Sequence, residues 1–275
     1  MPELPEVETI VRQLRKPLIG RAITGVRVYW QRTIARPPIE VFTRALPGLR
    51  IRAIHRRAKY LVFELGSRSA RQPANYLLIH LKMSGRLNVT SRQRSIDKHD
   101  RVILNLDDGR QLRFNDARKF GRMHLVADVE EVTGRLGPEP LSEEFTPAAF
   151  KRFIAKRAGR LKPLLLDQTF VAGIGNIYAD EALWLARLHP LRRADSLDEA
   201  EVRALYRGIR KALRDGLEHS GASIDSVYSE GDYQNHFRVY GRTGQPCRRC
   251  QQPIHRILVG QRSAHFCARC QSLKG

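Results

Sequence analysis

The first residues of the chain could form a covalent bond to an electrophilic carbon. Methionine before a small residue is normally removed, and loss of Met1 leaves Pro2 as a terminal secondary amine. A terminal α-amine titrates near ~8, so a useful fraction is uncharged at neutral pH. Such an amine can attack carbon and form an iminium, as Schiff-base lysines do. Glu3, the next residue, could transfer protons.

A helix with one buried face is predicted to position these two residues. Pro5 suits the first helical position, and the acidic residues Glu6 and Glu8 suit the positive end of a helix. Apolar residues then recur at helical spacing at Val7, Ile10, Val11 and Leu14. The alternative interpretation is an ordinary first helix whose start carries no chemistry.

All four cysteines lie in the last thirty residues, as Cys247-x2-Cys250 and, after sixteen intervening residues, Cys267-x2-Cys270. Two such pairs can close a tetrahedral zinc site at the base of a β-hairpin. Four protein ligands leave no open coordination position, so this pattern predicts one structural Zn2+. His255 or His265 as a substitute ligand, and redox use of the cysteines, are the alternatives.

The net charge is +21, from 49 lysines and arginines against 28 acidic residues. Each phosphate that a cation neutralises releases counterions, so this excess favours a polyanionic partner. A membrane surface is the alternative, but no amphipathic basic helix stands apart, which favours nucleic acid. No apolar run reaches membrane-spanning length and no signal-peptide pattern is present. We therefore expect a cytoplasmic protein and, without any oligomerisation signal, a monomer.

The chain changes character near its middle. From Ala22 to about Val126, short alternating stretches with a turn at Asp108-Gly109 predict an antiparallel sandwich or barrel. After the stiff segment 137–140, helices are predicted from Thr146-Pro147, from near Asn176, and from a capping box at residues 196–199. Residues 221–234 lack periodicity and predict a loop. The expected domains are 1–132, a linker at 133–141, a helical domain at 142–235 and a zinc hairpin at 236–275.

Two loops carry exposed apolar residues beside cations. Met83 follows a strand end, and Phe120 follows Arg118 in the loop after the predicted hairpin. Core packing is the usual role of such residues, but on a basic protein they could act as wedges that enter a base step. Lys59 opens a strand, and a solvated lysine is its alternative interpretation. Gly173 to Asn176 could present N–H groups to a phosphate.

Taken together, these residues resemble the bacterial formamidopyrimidine-DNA glycosylase family. The matching segments appear in family order over nearly the whole chain, at 2–9, 57–60, 80–85, 98–100, 116–121, 137–141, 173–178 and the zinc ribbon. The resemblance implies an α+β fold: an N-terminal antiparallel β-sandwich with a packed N-terminal helix, then a helix–two-turn–helix domain and a zinc β-ribbon. It also implies a base-excision enzyme that removes 8-oxoguanine and formamidopyrimidines from duplex DNA and then nicks the strand.

The resemblance assigns catalytic roles to five residues. Pro2 is expected to attack C1′ of the damaged nucleotide, and Glu3, supported by Glu6, is the expected proton donor that helps to open the sugar. Lys59 is expected to contact phosphate and assist the first elimination. Arg262 is expected to grip phosphates and assist the second.

It assigns DNA contacts to a further set. Met83, Arg118 and Phe120 are expected to fill the gap left by a flipped nucleotide, while His99 and Asn176 hold the backbone. Ala158 departs from the family, where a basic residue is common, so Arg157 or Arg160 is expected to supply that phosphate contact. A second departure, Ala222 in a segment where Gly-Gly is common, adjoins the loop expected to cap the flipped base.

Two other functions remain open at this point. An endonuclease VIII-like glycosylase acting on oxidised pyrimidines shares the fold, Pro2 and Glu3, although Leu4 and the set of Met83, Arg118 and Phe120 favour the purine-directed branch. A DNA-binding protein without enzymatic activity is the other alternative, and it predicts binding that survives Pro2→Gly.

Overall fold

The computed structural model describes residues 1–66, 75–223 and 231–273. These residues divide into two compact units. The first contains residues 1–2 and the described residues from 6 to 135, and the second contains residues 3–5 with the described residues from 136 onward. The first helix therefore begins in one unit and continues in the other.

The first unit contains three α-helices, one 3-10 turn at Gln31–Thr33 and nine strands among its described residues. The helices are α1 (Leu4–Leu18), α2 (Ile39–Ala45) and α3 (Glu130–Thr133). The strands are β1 (Ile23–Val28), β2 (Ile34–Arg36), β3 (Arg50–Arg57), β4 (Tyr60–Gly66), β5 (Asn75–His80), β6 (Gly85–Ser91), β7 (Asp100–Leu106), β8 (Arg110–Asp116) and β9 (Arg122–Val126).

Two sheets form a sandwich in this unit. One has four antiparallel strands in the order β1-β7-β8-β6, and the other has five in the order β2-β9-β5-β4-β3. The β7–β8 hairpin turns at Gly109, whose φ of +80° suits glycine, as the Asp108-Gly109 pair predicted. The short pair β2–β9 is parallel and the other strand pairs of the two sheets are antiparallel, so the predicted antiparallel sandwich is confirmed.

The core of the first unit lies between its sheets and α1. Alternation along each strand sends one set of side chains inward, where they meet the apolar face of α1. Val7, Val11 and Leu14 belong to this core, together with residues such as Phe63 and Phe114 from the two sheets. The predicted face of the first helix is thus confirmed.

The second unit is helical up to its C-terminal hairpin. Its helices are α4 (Pro147–Ile154), α5 (Leu161–Leu166), α6 (Asn176–Ala186) and α7 (Glu199–Glu218), and its strands are β10 (Ile254–Val259) and β11 (Arg262–Cys267). No helix in the described residues is long and apolar enough to cross a membrane.

The cap of α7 differs from the prediction. Asp198, rather than Ser196, is the N-cap: its carboxylate accepts the Glu201 N–H at 2.8 Å, and the Glu201 carboxylate accepts the Asp198 N–H at 3.1 Å. The chain carries two overlapping cap patterns, and the carboxylate is favoured at the positive end of the helix. The Ser196 hydroxyl instead donates to the Arg193 carbonyl at 2.9 Å.

The predicted loop at 221–234 falls partly on residues 224–230, which lie outside the described residues. On its near side, the Gly221 N–H donates to the Gly216 carbonyl at 2.7 Å after α7 ends. On its far side, Tyr233–His236 form one turn of 3-10 helix.

Candidate active site and metal centre

Glu3 caps the N-terminus of α6, a helix far away in sequence. Its carboxylate accepts the N–H groups of Gly175 at 2.6 Å, Ile177 at 2.9 Å and Tyr178 at 3.4 Å. Gly175 stands at the N-cap position and has no side chain to cap the helix itself. Three N–H donors and the positive end of the helix dipole favour the charged carboxylate. Glu3 is 3% exposed, so its position is fixed.

Glycine is required at this turn. A Cβ on Gly175 would lie 2.6 Å from Glu3 Oε1, which no real side chain tolerates. Gly173 has a φ of +90° and accepts the Leu4 N–H on its carbonyl at 3.0 Å. The two glycines predicted as a phosphate-binding turn therefore also receive the Glu3-Leu4 segment.

The residues around Glu3 in sequence are buried. Pro2, the predicted nucleophile, is buried and directly precedes Glu3, while Met1 is 48% exposed. Glu6, the predicted support, is 4% exposed in the first turns of α1. Removal of an exposed Met1 would therefore leave the Pro2 amine next to a fixed carboxylate.

A buried lysine that sequence reasoning missed supports the α6 turn. Lys162 is fully buried, and its Nζ donates to Asp180 Oδ1 at 2.6 Å and to the Asn176 carbonyl at 2.9 Å. Burial lowers the pKa of Lys162, and the negative charges of Asp180 and Glu3 offset part of this effect. A single lysine between Leu161 and a proline gives no sequence signal that distinguishes it from a solvated side chain.

The Asp180 carboxylate also binds the zinc hairpin. Asp180 Oδ2 accepts the His265 N–H at 2.9 Å and lies 3.0 Å from His265 Nδ1. Asn176 Nδ2 donates to Ser263 Oγ at 3.2 Å, one residue beyond Arg262 in β11. The second unit therefore places Asn176 and the start of β11, both predicted to contact DNA, on one hydrogen-bonded network.

Strained turns coincide with predicted site residues. Seven non-glycine residues in the described part of the chain have positive φ, and four of them directly precede a predicted site residue. These are Ala58 before Lys59, Lys82 before Met83, Lys119 before Phe120 and Gln261 before Arg262. Each costs roughly 1–2 kcal/mol relative to ordinary backbone. Strain of this kind is concentrated at functional sites in proteins.

The loop that carries Met83 and the loop that carries Arg118 and Phe120, here called the wedge loops, are joined in the first unit. Arg118 Nη1 lies 3.4 Å from Met83 Sδ, and the Arg118 N–H donates to Ser84 Oγ at 3.1 Å. The buried Asp116 carboxylate accepts a hydrogen bond from the Ser84 hydroxyl at 2.5 Å, which also links the two loops. Met83 is 42% and Phe120 51% exposed, so neither belongs to the core.

Four further predicted site residues have these positions, and the His99 carbonyl accepts the Asp116 N–H at 2.9 Å. Lys59 is 5% exposed at the turn before β4. His99 is half-buried, with Nδ1 3.1 Å from a guanidinium nitrogen of Arg101. The Arg157 guanidinium carbon lies 5.7 Å from the centroid of the Phe170 ring. Arg262 is exposed at the start of β11.

His80 is a neutral buried imidazole near the start of the first wedge loop. Burial lowers its pKa to about 3, and the charges of Lys82 and Lys59 contribute. Its Nδ1 accepts the Lys82 N–H at 3.0 Å, and its ring meets Tyr60 edge-on at 4.8 Å. His80 therefore fixes the end of β5 without adding charge.

The four cysteines form a metal centre. Their Sγ atoms all lie within 4.8 Å of one another, with Cys247 and Cys270 at 4.0 Å and Cys250 and Cys267 at 3.4 Å. Four thiolates bound tetrahedrally to zinc lie about 3.8 Å apart, so the cluster fits the ion. None of them forms a disulfide. The alternative ligand His265 is bound to Asp180, so the four-cysteine site is the one formed.

Three family models match the chain in order. Residues 1–123 match the Formamidopyrimidine-DNA glycosylase N-terminal domain, and residues 136–227 match the Formamidopyrimidine-DNA glycosylase H2TH domain. Residues 244–273 match the zinc finger found in FPG and IleRS. Together these matches define the class: a DNA glycosylase with a helix–two-turn–helix domain and a structural zinc.

Known proteins match over the full length. The formamidopyrimidine-DNA glycosylase of Herpetosiphon aurantiacus is 45% identical, covering 99% of this chain and all of that protein. The Lactococcus lactis Fpg solved with DNA containing N7-benzyl-Fapy-dG has a TM-score of 0.91 and 37% identity, over 99% of this chain and 100% of that one. The same enzyme solved with DNA containing an oxidised pyrimidine has a TM-score of 0.90 and 36% identity, over the same shares of the two chains. The chain belongs to the formamidopyrimidine-DNA glycosylase family, and the resemblance in its motifs is confirmed.

Proposed function

We propose that the protein removes oxidised purines from duplex DNA and then nicks the strand, through an imine between Pro2 and C1′ of the damaged nucleotide. The observation that carries the proposal is the buried Pro2-Glu3 pair, with the Glu3 carboxylate held by the Gly175 N–H at 2.6 Å. A fixed amine beside a fixed carboxylate provides a nucleophile and a proton-transfer group at one carbon.

The first step forms one bond and breaks one. With Met1 removed, the Pro2 nitrogen attacks C1′, and the damaged base leaves with a proton from solvent. The resulting ammonium loses its proton to Glu3, which the α6 N-terminus holds as a carboxylate before the attack. Glu3, now protonated, gives that proton to O4′ as the sugar ring opens and the iminium forms. The proton-donor role assigned to Glu3 thus follows from a resting carboxylate.

The iminium acidifies the hydrogens on C2′, so elimination needs no catalytic metal. Loss of one C2′ proton expels the 3′ phosphate, and a second elimination expels the 5′ phosphate. We assign Lys59 to the first elimination and Arg262 to the second. Each of the two directly follows a residue with positive φ, Ala58 or Gln261. Such strained turns are concentrated at functional sites, which supports the assignment.

Access to C1′ requires the damaged nucleotide to leave the stack, at a cost of a few kcal/mol. We assign the vacated space to Met83, Arg118 and Phe120. The 3.4 Å contact between Arg118 and Met83 sets those two side chains in place before DNA arrives, and Phe120 is exposed beside Arg118 in the same loop. His99, Asn176 and Arg157 are assigned to the phosphate backbone. Phosphate contacts and wedge insertion together offset the cost of flipping.

We further propose a division of labour along the chain. The domain 1–132 carries Pro2, Glu3 and Lys59, and 133–141 is the linker. The domains 142–235 and 236–275 hold duplex DNA, and the second of them also supplies Arg262. Zinc bound to the four cysteines holds the hairpin in shape and takes no part in the reaction. We propose that the protein works as a monomer on the bacterial nucleoid in the cytoplasm, and its positive net charge of 21 favours binding to DNA.

Purine lesions are the proposed substrates because Lactococcus lactis Fpg, solved with a formamidopyrimidine nucleotide, matches the chain end to end. Oxidised pyrimidines are the second candidate, because the same enzyme has been solved with DNA that contains one. The two candidates share every catalytic residue, so only substrate preference separates them.

The test is strand nicking on a panel of duplexes that differ in one base: 8-oxoguanine, formamidopyrimidine, thymine glycol or undamaged guanine. We expect cleavage at the two purine lesions to be fastest, with a phosphate left on both sides of the gap. Lys59→Met should slow nicking more than base release, while Arg203→Ala, an exposed arginine of α7, should change neither. Faster cleavage at thymine glycol would show that the protein prefers oxidised pyrimidines. Tight binding without any cleavage would leave a DNA-binding protein.

A further inference from the structure

Three metal-ligating side chains outside the four-cysteine centre converge in the second unit. His219 Nδ1 lies 2.9 Å from Asp232 Oδ1, and His236 Nε2 lies 3.5 Å from Asp232 Oδ2. Their ligand atoms all lie within 4.8 Å of one another. The side chains are 31%, 56% and 43% exposed respectively, so water and ions can reach them. The proposed reaction does not use any of them.

The donor set matches a divalent transition ion. Two imidazoles and one carboxylate bind zinc, nickel and copper, and imidazole nitrogen selects these ions over magnesium or calcium. At bond lengths of about 2.1 Å, neighbouring ligands lie about 3.0 Å apart in an octahedral site and about 3.4 Å apart in a tetrahedral one. The two distances from the carboxylate, 2.9 and 3.5 Å, are of this size.

Packing holds one side of the cluster in place. The His219 ring stacks on Tyr233 at 6.1 Å, and the fully buried Tyr233 stacks on Tyr178 at 5.4 Å. The Asp232 N–H donates to the His219 carbonyl at 3.1 Å, so the two backbones are already joined. A ligand pair held by the fold loses less entropy when an ion binds.

His236 is the ligand of the cluster that must change its orientation. Its ring lies nearly parallel to that of His219, with centroids 3.6 Å apart and an angle of 23°. Ring nitrogens bind metals in the ring plane, so a common ion requires His236 to turn about its side-chain torsions. Its exposure of 43% leaves room for that turn.

We propose that His219, Asp232 and His236 form a second metal site, which takes one divalent transition ion such as Zn2+ and completes its coordination with water. None of its three ligands belongs to the cysteine centre or to the residues assigned to DNA above. It adds a cross-link between the end of α7 and the 3-10 turn Tyr233–His236.

The test measures zinc bound per chain in protein prepared without a histidine tag and already loaded at its cysteine centre. Calorimetric titration of this zinc-loaded protein with ZnCl2 should show one further ion per chain. His236→Gln and Asp232→Asn should abolish that ion while retaining the first one, which shows that the fold survives. His55→Gln, an exposed histidine of β3, is the matched control and should still bind two.

Thermal melting gives a second reading. Added zinc should raise the melting temperature of the zinc-loaded wild type and of His55→Gln, but not of His236→Gln. No uptake of a second ion by the wild type would overturn the proposal, and so would a second ion retained in both cluster variants. Loss of nicking activity in any variant does not bear on the site, since metal uptake is measured without DNA.

Discussion

The Glu3 carboxylate accepts the Gly175 N–H at 2.6 Å, across 172 residues of sequence. This contact joins the predicted nucleophile segment to the N-terminus of α6, the helix that begins with the predicted phosphate contact Asn176. One hydrogen-bonded turn therefore positions both the proposed proton-transfer group, Glu3, and the proposed DNA-binding residue, Asn176.

Gly175→Ala tests the relationship directly. A Cβ at this position would lie 2.6 Å from Glu3 Oε1 and must displace the carboxylate. A displacement of about 1 Å near the chemistry can cost about 10²-fold in rate, so we expect base release to fall by that order. DNA affinity should change little. The matched control is Gly159→Ala, where a Cβ meets nothing within 4 Å, and its rate should equal that of the wild type.

Lys162→Met tests the buried support of the same turn. The change leaves the fully buried Asp180 carboxylate without its cation, and loss of one partner of a buried pair costs about 3–5 kcal/mol. Urea unfolding should show a loss of this size. Adding Asp180→Asn removes the unpaired charge and should recover part of the loss. Lys156→Met, an exposed lysine, should unfold like the wild type; a similar midpoint for Lys162→Met would show that the pair contributes nothing.

The sequence predicts those parts of this arrangement that depend on local spacing. The apolar stripe of α1, the Thr146 cap and the two cysteine pairs each follow from residues a few positions apart, and each is found in the structure. The sequence pattern predicts the α7 cap at Ser196, two residues before the observed N-cap Asp198, because two cap patterns overlap there. The residues alone leave two interpretations of Pro2 and Glu3, a catalytic pair or an ordinary helix start, and the family resemblance favours the first.

Contacts between distant residues could not be predicted. Nothing near Glu3 in sequence indicates that its carboxylate caps α6, because that geometry depends on the folded second unit. The same holds for Lys162, because its short helix α5 gives no helical pattern in the sequence and its partner Asp180 lies eighteen residues away. The His219–Asp232–His236 cluster is likewise visible only after Asp232 and His219 are paired through their backbones.

His80 should make the protein less stable in mild acid. Its pKa in the folded state is about 3, below the ordinary value of 6.5, so only the unfolded chain takes up its proton in between. The free energy of unfolding should therefore fall by up to about 1.4 kcal/mol per pH unit as the pH drops from 6.5 toward about 3. His124, with a pKa of about 4, adds to this effect.

Urea unfolding as a function of pH checks this prediction. His80→Gln should reduce the slope without abolishing it, because His124 remains. His55→Gln removes an exposed histidine and should leave the slope unchanged. Parallel curves for wild type and His80→Gln would mean that His80 is protonated in the folded state.

Zinc removal should be visible in the fluorescence of Trp184. Its indole N–H donates to Cys247 Sγ at 3.4 Å, and Arg249 lies over its ring at 3.8 Å, so loss of the ion changes its surroundings. A chelator under reducing conditions should shift the emission, and added zinc should restore it. The shift should persist in Trp30→Phe and vanish in Trp184→Phe. An unchanged emission after verified zinc loss would mean that the hairpin keeps its shape without metal.

The most direct test of the mechanism is borohydride trapping on a duplex carrying one 8-oxoguanine, followed by mass spectrometry of the linked peptide. Reduction of the iminium should leave a stable bond between C1′ and the nitrogen of Pro2, in protein that has lost Met1. Pro2→Gly should change the attachment or reduce its yield, while Gly159→Ala should trap as the wild type does. A covalent product on a lysine, or strand nicking without any trapped product, would contradict the role of Pro2.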